Sequence, residues 1–119
     1  MSVLEATAGK LIGPTSGGTV TQATDKSTGV TLNKPSGQIT TSDASLAGAA
    51  EVSFTVTNSE IAATDVVIVN VASGASTGTY IASVSAVAAG SFDITLSNVG
   101  STAGEALVLN FVALKGASS

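Results

Sequence analysis

Hydrophobic and polar residues alternate along most of this chain, and the period is two. The clearest run is residues 51–57, where Val52, Phe54 and Val56 alternate with Ser53, Thr55 and Thr57 as in a half-buried strand. Residues 91–97 repeat the pattern, with Phe92, Ile94 and Leu96 expected inside and Asp93, Thr95 and Ser97 outside. The Ala89-Gly90 pair before them reads as a tight hairpin connection. Shorter alternating runs come earlier, around Val20 and Gln22, around Val30 and Leu32, and over residues 38–41. They are broken at residues 25–29, where Gly29 can supply a positive φ, and at residues 33–37, where Pro35 lacks a ladder donor and holds Lys34 extended. Residues 43–48 read as a loop or a single helical turn with Leu46 as its plug into the core. Ile61 is expected to be buried within the 58–64 connection.

Two segments depart from clean alternation. Residues 65–72 carry Val66, Val67, Ile68, Val69 and Val71, so both faces hold β-branched side chains, and residues 107–114 are also apolar on both faces. Such a strand is either central and sandwiched, or covers a core with one face and a subunit interface with the other. Val67 and Val69 are the contact candidates on the first of them. Free edges of such strands aggregate, so pairing or burial in an oligomer is expected. Residues 79–88, with Tyr80, Ile81, Val84 and Val87, add one more strand.

The sum is about eight short strands separated by Gly/Ser/Asn connections. This pattern predicts an all-β, single-domain antiparallel β-sandwich or barrel, jelly-roll-like, over residues 18–116. Residues 1–17 are expected to form an extended N-terminal arm and residues 117–119 a tail. The arm holds Leu4, Leu11 and Ile12 in apolar pairs that would anchor it on a neighbouring subunit; a frayed terminus is the other reading. Ser2 and Glu5 have capping-box spacing, but a helix begun there would stop by Gly9. The uncharged stretch 66–92 is interrupted by Asn70, Gly74 and Gly78, which fits a pair of strands better than a membrane span. The first residues lack the basic and continuous apolar segments of a secretory leader.

Composition removes most chemistry. The 119 residues contain no cysteine and no histidine, and all four basic residues are lysines. Disulfides, thiolate zinc sites, the usual metal ligand and the usual general base are therefore absent. The net charge of −4 argues against nucleic acid, which needs a clustered basic face. Only 10% of residues are charged, which leaves two readings. Either much of the surface is covered by copies of the chain or by a partner, or a neutral surface is solvated by Ser and Thr hydroxyls.

One literal catalytic motif occurs, Gly74-Ala75-Ser76-Thr77-Gly78, matching G-x-S-x-G. It lacks both the histidine base and a following helical pattern, so it reads as an inter-strand loop. No S-x-x-K spacing, phosphate loop or EF-hand pattern is present. The aromatics are too few to line a sugar-cleaving cleft. No catalytic, cofactor-binding or metal-ligating residue is assigned. Asp25, Lys26 and Lys34 flank the strand around Val30 and are candidate contacts to a protein neighbour; the two lysines either pair with carboxylates there or serve as gatekeeping charges on an edge strand, and Lys26 can also pair locally with Asp25.

The run of residues 20–41, VTQATDKSTGVTLNKPSGQITT, resembles a family of small structural proteins of tailed bacteriophages and prophages. The likeness continues through VSFTVTNSEIAATDVVIVNVASG (52–74) and ALVLNFVALKG (106–116). What the resemblance implies is a head decoration or cement protein, a homotrimer on the capsid exterior of the virion. Its partner would be the major capsid protein, with no cofactor, nucleic acid or membrane. A virion fibre or tail-associated host-binding module is the alternative.

Overall fold

The computed structural model describes residues 17–116; the arm with Leu4, Leu11 and Ile12, the Ser2–Glu5 capping spacing and the tail lie outside the described residues. The strands are β1 (Gly17–Thr21), β2 (Val30–Thr31), β3 (Ser36–Thr40), β4 (Ala50–Thr57), β5 (Val66–Ser73), β6 (Tyr80–Ala88), β7 (Ser91–Asn98) and β8 (Val108–Leu114). Among the described residues there is no helix. The chain is an all-β sandwich of two four-stranded sheets. Sheet 1 has the order β1-β3-β8-β5, and sheet 2 the order β2-β4-β7-β6.

Both sheets are mixed. The pairs β3–β8, β8–β5, β4–β7 and β7–β6 are antiparallel, whereas β1–β3 and β2–β4 are parallel. A parallel pair needs a crossover between its strands. Here each crossover carries a strand of the opposite sheet: β2 lies between β1 and β3 in sequence, and β3 between β2 and β4. The three short runs at the start of the chain are therefore split, β1 and β3 in sheet 1 and β2 in sheet 2.

Alternation then builds the core. Phe92, Ile94 and Leu96 of β7 and Phe54 and Val56 of β4 face Ile39 of β3 and Leu109 and Phe111 of β8, all buried. The rings of Phe92 and Phe111 meet across the interface at 5.2 Å and 55°, a tilted pair that joins the two sheets. Leu46 and Ile61 are buried plugs from the connections, and Leu46 is fixed by a bridge to Ala103. Gly90, at φ +86°, closes the Ala89-Gly90 hairpin turn between β6 and β7.

Candidate contact surface

Three groups of polar side chains are satisfied by partners within the chain. The first is built on Lys26, which is 3% exposed. Its ammonium donates to three backbone carbonyls, Ser42 O at 2.6 Å, Ala44 O at 2.8 Å and Glu105 O at 2.8 Å. Three hydrogens meet three acceptors, so the group is fully satisfied as a cation. Burial pulls its pKa below the ordinary lysine value, and the nearby charges of Asp43 and Glu105 counter that pull. Buried Gln22 ties the same loop down, donating to Lys26 O and Thr28 O and accepting from Ser42 N. Thr41 completes the knot by accepting the Leu107 N–H.

Lys26 is thus no partner for an outside protein, and it does not pair with Asp25. Asp25 instead caps its own turn, accepting from Ser27 N, Ser27 Oγ and Thr28 Oγ1. These bonds, the Ser27 hydroxyl first, hold its carboxyl below the usual range. A buried ammonium surrounded by carbonyls is a lattice point of the fold, which the local Asp25-Lys26 sequence could not reveal. Lys34 is exposed, and its side chain lies over Gly18 of β1.

The second group explains the G-x-S-x-G run. Glu105 Oε1 accepts from Ser76 N, Ser76 Oγ and Thr77 N, and Oε2 from Gly78 N at 2.8 Å. Three successive amides cradle one carboxylate and lower its pKa to about 2, with the Gly78 amide the largest cause. Gly74 takes a left-handed φ of +99°, and a side chain at Gly78 would collide with the Tyr80 ring. Both glycines are therefore demanded by this turn between two strands. So acidic a carboxylate is a poor base for Ser76. The Tyr80 hydroxyl, buried without a partner of good geometry, is pushed up to about 12 by burial first and by Glu105 second.

The third group is amide-based. Asn58 and Asn98 are fully buried. Asn58 donates to Lys34 O, and Asn98 donates to Leu46 O and Ser101 O while accepting from Thr79 N and Gly100 N. At the same end as Asn58, the Asp65 carboxylate accepts from the Lys115 ammonium at 2.8 Å and from Ala62 N. These contacts, Lys115 first, hold Asp65 below the usual carboxylate range.

What remains outward is the exterior of the two sheets. Sheet 1 contains no charged residue in any of its four strands. Its outer face is laid out in cross-strand rows: Gly17, Ser36, Val112 and Ile68 in one, and Thr19, Gln38, Asn110 and Asn70 in the next. Leu114 stands opposite Val66 at the end. Val66 is 53% exposed, Ile68 51% and Leu114 43%, so they form with half-buried Val112 an apolar patch. A shallow depression of about 450 Å³ opens beside it over β1, β3 and β8. Glycine, hydroxyl and amide groups and Phe111 line it, with no titratable group.

Val67 and Val69 have the opposite parity from this patch. Val67 is buried and Val69 packs against the core, so these two expected contact residues face inward. The outward residues of the same strand are Val66 and Ile68. The two-faced composition of residues 65–72 signalled such a face, but parity depends on which side the core occupies.

The chain matches no protein-family model, no curated protein and no solved structure.

Proposed function

We propose that this domain works by contact, as a capsid decoration or cement protein that binds the assembled phage head and stabilises contacts between major capsid subunits. The observation that carries the contact reading is the outer face of sheet 1, free of charge on an acidic chain and exposing Val66, Ile68 and Leu114. The virion part rests on the resemblance of residues 20–41, 52–74 and 106–116. A protein that binds only the assembled shell stabilises it by mass action, and many weak contacts repeated by symmetry add up without one strong site. A homotrimer on the capsid exterior fits that work.

The alternative, a fibre or tail module that binds host glycans, calls for exposed aromatic rings. Phe54, Phe92 and Phe111 are buried, and Tyr80 leans on the Glu105 loop. Mixing the purified chain with phage heads that lack it should give co-sedimentation and heads that resist heat better. Absence of binding to heads, with binding to cells or glycans in its place, would reverse the order of the two readings.

A further inference from the structure

The ammonium of Lys26 sits where three connections meet. Lys26 belongs to the connection from β1 to β2, its acceptors Ser42 O and Ala44 O to the one from β3 to β4, and Glu105 O to the one from β7 to β8. Each of these connections passes from one sheet to the other. The acceptors are held in place by bonds that do not involve the ammonium. Gln22 Oε1 accepts from Ser42 N, Ser42 Oγ accepts from Ala44 N, and residues 41 and 107 are tied through Thr41 N to Leu107 O and Leu107 N to Thr41 Oγ1. The three carbonyls therefore converge because the fold puts them there.

Their geometry selects the occupant. The contacts are 2.6, 2.8 and 2.8 Å, lengths of hydrogen bonds from a charged nitrogen. Calcium takes about six to eight oxygens at roughly 2.3–2.6 Å, and here only three converge. An ammonium has one hydrogen for each, and its fourth direction carries the alkyl stem. Asp43 and Glu105 add negative charge nearby, which favours a cation at this point. With Lys26 only 3% exposed, water competes little for the carbonyls.

We propose that Ser42 O, Ala44 O and Glu105 O form a binding site for a primary ammonium ion, with Lys26 as its tethered occupant. Cutting the tether leaves the site. Lys26→Ala removes three methylenes and the ammonium, a fragment with the outline of n-propylammonium, so that ion is the ligand the emptied site takes. The site belongs to no contact surface, and its test leaves the decoration reading untouched.

The test is thermal unfolding of the full chain, followed by far-UV circular dichroism, in n-propylammonium chloride and in tetramethylammonium chloride at equal concentration. Tetramethylammonium carries the charge without an N–H donor. Lys26→Ala should melt higher in n-propylammonium, by roughly 5 °C as the site fills, with a gain that levels off at high concentration. The wild type, whose site is full, should melt alike in both salts. So should Lys26→Met, whose side chain fills the space and donates nothing. Should Lys26→Ala be unfolded in the reference salt, n-propylammonium restores its β-sheet signal. Equal behaviour of Lys26→Ala in both salts, folded or unfolded, overturns the proposal, as does an equal gain in Lys26→Met or from potassium chloride. A second measurement uses the unaltered chain: in the isotope-labelled wild type at neutral pH, nuclear magnetic resonance should show a slowly exchanging ammonium signal that Lys26→Met lacks. Absence of that signal from the wild type also overturns the proposal.

Discussion

The two outer faces of this sandwich are built on the same kind of ladder and finished in opposite ways. On sheet 2, Ser53 Oγ lies 2.7 Å from Thr95 Oγ1, Thr95 Oγ1 donates to Ser85 Oγ at 2.9 Å, and Thr55 Oγ1 donates to Asp93 at 2.8 Å. Three strands are laced by hydroxyls that water can also reach. On sheet 1 the β5–β8 end of the outer face holds Ile68, Val112, Val66 and Leu114, side chains that form no such bonds, beside a row of amides and a threonine. The low-charge composition allowed either a hydroxyl-solvated surface or one kept for partners. The hydroxyl-solvated reading describes sheet 2, and the partner reading is our proposal for sheet 1.

The largest effect that bears on this contrast comes from Lys26. This ammonium is held by three internal carbonyls and so is withdrawn from the surface. Lys26→Ala should cost about 2–4 kcal/mol in chemical denaturation, because buried carbonyls lose their donors. A neutral outcome would mean that the lysine serves the surface after all, and the contrast between the faces would lose one of its supports.

A smaller effect belongs to Glu105, which holds the corner joining β5 of sheet 1 to β6 of sheet 2. Its folded pKa of about 2 lies below the ordinary 4.5. The stability it contributes is therefore complete above about pH 4.5 and is lost as pH falls towards 2. Glu105→Gln should have a lower melting temperature at neutral pH and a shallower decline between pH 4.5 and 2. Some decline should remain, since Asp25 and Asp65 are also held below the usual range. An unchanged acid profile would show that the corner is held by something other than this carboxylate.

The smallest effect is expected on the hydroxyl face. Thr95→Val removes bonds that water can replace and should shift stability by roughly 0.5 kcal/mol or less. It should leave the binding of the chain to phage heads unchanged. If so conservative a change on sheet 2 altered that binding, the division of labour between the faces would fail.

Much of the fold could be read from alternation. Residues 51–57 and 91–97 became β4 and β7 with the expected residues inside, and Leu46 and Ile61 are the buried plugs expected of the two connections. Four features resisted. The parallel pairs β1–β3 and β2–β4 depend on which sheet each short strand joins, and local pattern carries no sign of that choice. Lys26 looks like any turn lysine, because the carbonyls that receive it come from residues 42, 44 and 105. On β5 the sequence shows two apolar faces, and only the position of the core decides that Val67 and Val69 go in and Val66 and Ile68 stay out. The Gly74–Gly78 spacing was legible as a loop, but its attachment to Glu105 was not.

Hydrogen–deuterium exchange on the chain free and bound to phage heads, followed strand by strand, tests the role of the sheet 1 face most directly. The expected result is slower exchange of β5 amides in the bound chain, with β4 and β7 exchanging alike in both. Equal exchange of β5 in the two states would contradict it.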